Sequence, residues 1–424
     1  MPITKSLENT YSRILNAELM TAMGCTEPIA IAFCSAYARN LLGKDPDHCV
    51  VRCSGNIIKN VKAVVVPQTG GLKGIEAAAA AGIVSGRPEL RLEVLSCLTD
   101  EDRAALQRIL ETDIIDVTAL DSGHALHIIV ELTAGEDNVS VEVIDAHTNI
   151  GKVVKNGTIL QDRVCVEEDT SSDGYDQLNI KDILEYAKTA DLDPVRDVLE
   201  RQILFNTAIS EEGLRNIYGS GIGPALMKNA GTSLREHCKA AAAAGSDARM
   251  NGCSFPVVIN SGSGNQGITV SLPVILSASE KKCSHDELLH ALSFANLIAI
   301  RQKVGIGKLS AFCGATCAAI GAICGIAFLD GADYDTISQT IINGLATIGG
   351  MVCDGAKSSC AGKIASALDC AFTGYEVAKL GRGYRIGEGL VKDNVEHTID
   401  SIARMAASGM HSTDLEVLDI MLEK

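Results

Sequence analysis

Apolar residues recur at helical spacing over residues 6–23, SLENTYSRILNAELMTAM, predicting an amphipathic helix that Gly24 stops. A second helix, IAIAFCSAYARNLL, is predicted after Pro28, a residue suited to a first helical turn. From about His48 to Val166 the pattern changes. CVVRCSGNIIKNVKAVVVPQTGG, LRLEVLSCL, ALHIIVELTAG and VSVEVIDAHTNIGKVV alternate apolar and polar residues or run β-branched, with Gly, Asn and Asp between them, and so predict strands. One helix, Gly74–Ile83, interrupts them and carries five consecutive alanines. A polar stretch, EDTSSDGYDQ at residues 168–177, reads as a boundary, and nearly everything from there to Lys424 has helical period. The expected fold class is α+β: a mixed α/β N-terminal region with a β-sheet, followed by a largely all-α C-terminal domain. The expected organisation is N-terminal helices at 1–45 packing on the C-terminal domain, an α+β domain at 46–170 and an all-α domain at 171–424.

Within the last of these, Ala311–Leu329 (AFCGATCAAIGAICGIAFL) is uncharged and as long as a membrane span. Its Ala, Gly and Cys content suits a helix buried on all sides better than one facing lipid, which would carry Leu, Ile and Phe. On such a helix Cys313, Cys317 and Cys324 fall within roughly 40° of one another. Helical geometry therefore leaves open which of these three cysteines could act as a ligand.

Composition narrows the classes of function. A formal charge of −16 over 424 residues argues against nucleic acid or an anionic membrane as partner, since both demand a basic surface. The N-terminal MPITKSLENTYSRI has no apolar leader pattern, so a cytoplasmic location is expected. Fifteen cysteines then point to thiols or metal ligands in a reducing compartment rather than to a disulfide framework. The absence of Trp and the 40 Gly describe a core built from small side chains.

Candidate chemistry centres on Cys313, Cys353 and Cys360, spaced C-x39-C-x6-C. Gly, Ala or Ser stands within two residues of each, which lets a bulky inorganic cluster approach the backbone. The pattern reads as a three-thiolate iron–sulfur site. Closed tetrahedral zinc fits it poorly, because no fourth Cys or His lies near the C-x6-C pair.

Cys25 stands just before a predicted helix N-terminus, whose partial positive charge favours thiolate, and Glu27 follows in the first turn. His147 comes at the end of the predicted strand VSVEVIDA. The loop Asn260–Gly267 contains G-x-G-x-x-G, but a dinucleotide site needs a βαβ setting, and the β-branched run Thr269–Leu276 is no obvious helix start. Consecutive amides with Ser261, Ser263, Asn265 and Gln266 suit a small carboxylate better. Arg249, just upstream, is a candidate bidentate partner for that carboxylate, or else an ion-pair partner of Asp247.

Six separated motifs occur in order: GCTEPIAIA from Gly24, AHTNI from Ala146, SDARMNG from Ser246, NSGSGNQGI from Asn260, KLSAFCGAT from Lys308 and CDGAKSSCAGK from Cys353. Together they resemble the L-cysteine desulfidase family, relatives of the α chain of iron–sulfur-dependent L-serine dehydratases, from Gly24 to the C-terminus. The resemblance implies an oxygen-sensitive [4Fe-4S] enzyme that converts L-cysteine to pyruvate, ammonia and hydrogen sulfide without pyridoxal phosphate. It implies cluster ligation by Cys313, Cys353 and Cys360 and a catalytic role for Cys25, with His147 the second candidate base. The nearest rival is an L-serine dehydratase with the same cluster chemistry, and a non-catalytic iron or redox sensor is the rival from another class. Self-association into a homo-oligomer is expected from apolar helices in an acidic chain.

Overall fold

The computed structural model describes residues 3–163 and 174–422. Most of the polar stretch 168–177, and Val166 at the end of the predicted strand region, lie outside the described residues. The chain opens with α1 (Lys5–Glu18), the short strand β1 (Thr21–Met23) and α2 (Thr26–Leu42). Then come β2 (His48–Cys53), α3 (Gly55–Val61), α4 (Gly74–Ser85), α5 (Asp100–Glu111) and β3 (Ile115–Ala119). A meander follows: β4 (His127–Ala134), β5 (Asp137–Ile144), β6 (Ile150–Lys155) and β7 (Thr158–Asp162). The helical part comprises α6 (Ile180–Thr189), α7 (Arg196–Arg215), α8 (Ile222–Met227), α9 (Leu234–Met250), then β8 (Pro256–Val258) and α10 (Gly264–Lys281). It continues with α11 (His285–Val304), α12 (Ala315–Leu329), α13 (Tyr334–Ile348), α14 (Ser359–Lys379), α15 (Val395–Arg404) and α16 (His411–Leu422). The fold is α+β.

Six strands form one mixed sheet in the order β3-β2-β4-β5-β6-β7, parallel only between β2 and β3. Alternation along β4 buries Ile128, Val130 and Leu132 completely, and α2 packs over β4 and β5 on that face. The alanine run explains how α4 joins this layer. A Cβ on Gly82 would lie 2.1 Å from the Ala32 carbonyl oxygen of α2, so only small residues permit the α2–α4 approach. The same device recurs in the helical part, where a Cβ on Gly321 of α12 would meet the Ala295 carbonyl of α11 at 2.6 Å.

Helix α12 is buried from Ala315 to Ala327 and is surrounded by α10, α11, α13 and α14. Among the described residues no helix is long and apolar enough to cross a membrane.

Four expectations are corrected. The pattern over residues 6–23 is broken at Glu18, and its last residues form β1, because Thr21–Met23 pair antiparallel with β8. SGNIIKNV is α3, with Ile57, Ile58 and Val61 facing inward at helical spacing. LRLEVLSCL is a 3₁₀ turn and its continuation, in which Leu92, Leu95 and Leu98 are buried at intervals of three. The β-branched run after Gly267 lies inside α10, where Ile268, Thr269 and Val270 are wholly buried; tertiary packing overrides strand propensity here.

Candidate functional site

The two-stranded ladder β1–β8 brings the start of α2 against the glycine loop. Thr21 pairs with Val258, and the Ile259 amide donates to the Met20 carbonyl at 2.9 Å. The Thr26 hydroxyl then donates to the Gly262 carbonyl at 3.1 Å. Behind the loop lies a buried amide network. Asn206 of α7 donates to the Val258 carbonyl and accepts from the Val258 amide, substituting for a missing strand neighbour. Asn260 donates to the Asn296 side-chain oxygen at 2.9 Å, and Asn296 donates to Gln202 at 2.8 Å. The loop closes on itself through reciprocal Asn260–Ser263 backbone bonds, and the Ser263 hydroxyl caps α10. The loop thus leads into the N-terminus of α10, whose Ser263, Asn265 and Gln266 line the space in front of it.

Across that space stand the three cysteines. Phe312 and Val352 form an antiparallel bridge, the Cys313 amide donating to the Met351 carbonyl at 2.8 Å and the Cys353 amide to the Ala311 carbonyl at 2.7 Å. This bridge sets Cys313 and Cys353 side by side, close enough for their thiols to hydrogen-bond. Cys360 joins them from the first turn of α14, with its Sγ 3.7 Å from the Gly355 carbonyl. The pair shares its protons unequally. Cys353 is held at about 6 by the hydrogen bond from Cys313, with Lys59, the Gly355 amide and Lys303 also favouring its thiolate against the cost of burial. The Cys313 thiol is pushed well up by the same hydrogen bond, by burial and by the charge of Cys353.

The three thiols and the opposing loop line one cavity, together with Cys25, Thr26, Glu27, Asn60, Arg249, Lys303 and Lys308. Cys317 and Cys324, on the same predicted helix face as Cys313, are fully buried and do not line it. The separation arises because α12 begins at Ala315, leaving Cys313 on the bridge ahead of the helix.

The rest of the lining is polar and hydrogen-bonded, and Cys25 packs in one cluster with Cys360. Glu27 accepts from the Thr26 hydroxyl at 3.0 Å, from Asn60 at 3.2 Å and from the Cys25 thiol at 3.5 Å. Cys25 is the N-cap of α2, as expected, but its thiol is not acidified there. Burial first, and then the Glu27 carboxylate, push it far above the usual thiol range, while Arg249 pulls the other way. Arg249 is 3% exposed, donates to the Asn265 side chain at 3.2 Å and leaves its Nε without a partner. Asp247 is not its partner: that carboxylate accepts from the Gly223 amide at 2.9 Å. The Gln266 side-chain oxygen is likewise buried without a donor.

Nine residues singled out from the sequence therefore share this cavity: Cys25, Glu27, Arg249, Ser263, Asn265, Gln266, Cys313, Cys353 and Cys360. Two do not. His147 sits in the β5–β6 turn behind the loop, its ring 3.4 Å from where a Cβ on Gly262 would be. Burial lowers its pKa, and Nε2 has no partner. Ser261 donates to the Asn260 side chain at 2.9 Å and lines a neighbouring cavity with Glu18, Tyr175, Lys303 and Lys308. Thr26, Asn60, Lys303 and Lys308 were not assigned from sequence. Only Thr26 and Lys308 fall within the six motifs, and nothing local to Asn60 or Lys303 distinguishes them from helix-surface residues.

The residues present fit an iron–sulfur group. Cys313, Cys353 and Cys360 line one cavity, and the glycines beside two of them leave no room for side chains. A Cβ on Gly314 would lie 2.4 Å from the Gln266 amide carbon, and one on Gly355 would lie 2.4 Å from the Lys59 carbonyl. Among the described residues no three His, Cys, Asp or Glu side chains are grouped as ligands of a single ion. A cluster binds its thiolates through separate irons, so it needs a shared wall rather than one convergence point.

Residues 89–419 match the family model described as serine dehydratase alpha chain. A "UPF0597 protein" of Lachnoclostridium phytofermentans is 49% identical over 409 residues, covering 96% of this chain and 98% of the relative. One of Finegoldia magna is also 49% identical, over 98% of this chain and 99% of its own, and one of Treponema denticola is 43% identical over the full length of both. By the family model, which covers more than half of it, this chain belongs to the serine dehydratase alpha chain family.

Proposed function

We propose that the protein is an iron–sulfur-dependent L-cysteine desulfidase, releasing sulfide from L-cysteine by β-elimination to leave pyruvate and ammonia. The observation that carries the reading is the shared cavity. Three thiols line it together with a buried, incompletely satisfied Arg249 and the N-terminus of α10. Cys313, Cys353 and Cys360 would hold a [4Fe-4S] cluster. With three protein ligands, such a cluster supplies one iron open as a Lewis acid to polarise a leaving sulfur.

The chain's own residues do the rest. Arg249, Asn265 and the loop amides take the substrate carboxylate, and the burial of Arg249 with its bond to Asn265 fixes the orientation. The Glu27 carboxylate is anchored by Thr26 and Asn60 and stands two residues from Cys25 at one helix N-terminus. The Cys25 thiol donates to Glu27, so that carboxylate is the acceptor placed to take the thiol proton as the Cys25 sulfur takes the substrate's α-proton. Loss of that proton with departure of sulfide gives aminoacrylate, which hydrolyses to pyruvate and ammonia. His147 supports the loop from behind and does not line the cavity, so Cys25 is the better base.

L-Serine offers the same skeleton with hydroxide as leaving group, and the description of the matching family names serine dehydratase. The separating experiment compares kcat/KM of the reconstituted protein on L-cysteine and L-serine under argon. A preference for L-cysteine, with sulfide and pyruvate released in equal amounts, supports the proposal; pyruvate from L-serine alone would assign the dehydratase.

A further inference from the structure

Three lysines bear electrostatically on the Cys313–Cys353 pair: Lys59, Lys303 and Lys363. The protein neutralises two of them. Lys59 of α3 pairs with Asp414 of α16, while Lys363 of α14 pairs with Asp354 and donates to the Val352 carbonyl at 2.9 Å. Lys303, at the end of α11, is 4% exposed, and among the described residues its amine has no hydrogen bond or ion pair. Burial lowers its pKa, the thiols of Cys317, Cys353 and Cys313 act the other way, and the Lys59 cation adds to the lowering. Glu18, the carboxylate in the adjoining cavity, is already engaged by the Tyr175 hydroxyl at 2.7 Å and by Lys308 at 3.7 Å. An ammonium at such a position is disfavoured unless an anion stands beside it.

We infer that Lys303 is a fixed counter-charge for the anionic group held by Cys313, Cys353 and Cys360, and so a positioning residue for that group. The inference rests on the iron–sulfur reading of these cysteines. Asp414 and Asp354 use up two of the three cations, and the third faces the cavity wall that the thiols form. A counter-charge has opposite effects in the two forms of the protein. Without the ligand its unpaired head is a burden on the fold; with the ligand it holds the anion in place.

The test compares wild type with Lys303→Met and Lys303→Arg, each as apoprotein and after anaerobic loading with iron and sulfide. The apo Lys303→Met protein should melt at or above wild type. Once loaded, it should lose iron to a ferrous chelator several-fold faster, and Lys303→Arg should restore retention. Lys303→Gln, which keeps a polar head of similar reach, replaces Lys303→Met if that variant does not fold. Equal iron release by loaded wild type and Lys303→Met would overturn the role, as would an apo variant melting well below wild type, the sign of a packing residue. A wild type that takes up no iron would instead overturn the iron–sulfur reading itself, and the apo melting comparison would still report on Lys303 alone.

Discussion

Phe312 and Val352 are joined in an isolated antiparallel bridge, and this single contact places Cys313 beside Cys353 although 39 residues separate the two cysteines in the chain. The bridge uses the amides of both cysteines, so their backbone is fixed before any ligand arrives. The candidate site is accordingly preorganised on the thiol side by backbone pairing. On the substrate side it is preorganised by the Asn260–Asn296–Gln202 network.

Cys25→Ser tests the base. The smaller hydroxyl still fits beside Glu27 but is a far weaker proton acceptor at neutral pH. Iron uptake should match wild type while kcat falls at least ~10²-fold, the usual contribution of a general base. Turnover within a factor of two of wild type would remove Cys25 from the reaction.

Arg249→Met removes a guanidinium that is 3% exposed and donates to Asn265. A charge-assisted contact of this kind contributes roughly 1.5–3 kcal/mol, so KM should rise about 10- to 100-fold with the iron content unchanged. An unaltered KM would place the substrate carboxylate elsewhere.

Much of this arrangement is legible in the chain itself, and the illegible parts share a cause. Strands β4 and β5 and helices α4 and α12 follow from period, alanine content and length, because each buries a whole face or its entire surface. Strand β1 is not legible. Three residues carry no period of their own and become a strand only by meeting β8, far along the chain. Helix α5 carries a signal that the alternation around it hides: Thr99 and Asp102 form a capping box at its start. At the site, small-residue motifs point to the cysteines and to the Ser/Asn loop. Lys303 and Asn60 are invisible in sequence, because what marks them is burial, a property of the packed helices. The expected acidification of Cys25 fails for the same reason: the helix N-terminus is present, but desolvation and Glu27 outweigh it.

His147 gives the protein an acid sensitivity of known sign. Its folded pKa lies below its ordinary value because the ring is buried, so below about pH 6.5 the unfolded chain binds a proton that the folded chain refuses. The folded state loses stability as pH falls through that window, by up to about 1.4 kcal/mol per pH unit for this one group. His147→Asn should flatten the slope of unfolding free energy against pH between roughly pH 5 and 6.5, measured by denaturant titration. Parallel slopes for the two proteins would contradict the assignment.

Asn260→Ala should destabilise the fold by about 2 kcal/mol, because it leaves the buried Ser261 hydroxyl without its acceptor and takes from the Asn296 side-chain oxygen one of its two donors. It should also raise KM, since the loop in front of Arg249 loses its anchor. A change in stability under about 0.5 kcal/mol would show that the network is not what holds the loop.

The central claim is that Cys313, Cys353 and Cys360 together hold the iron, and Cys317 does not. The most direct measurement is the iron and acid-labile sulfide content of anaerobically reconstituted wild type and of four variants, each with one of these cysteines changed to Ala. The account predicts about four irons per chain in wild type and in Cys317→Ala, and a large loss in Cys313→Ala, Cys353→Ala and Cys360→Ala. Wild-type iron in any of those three, or its loss on removing Cys317, would contradict it.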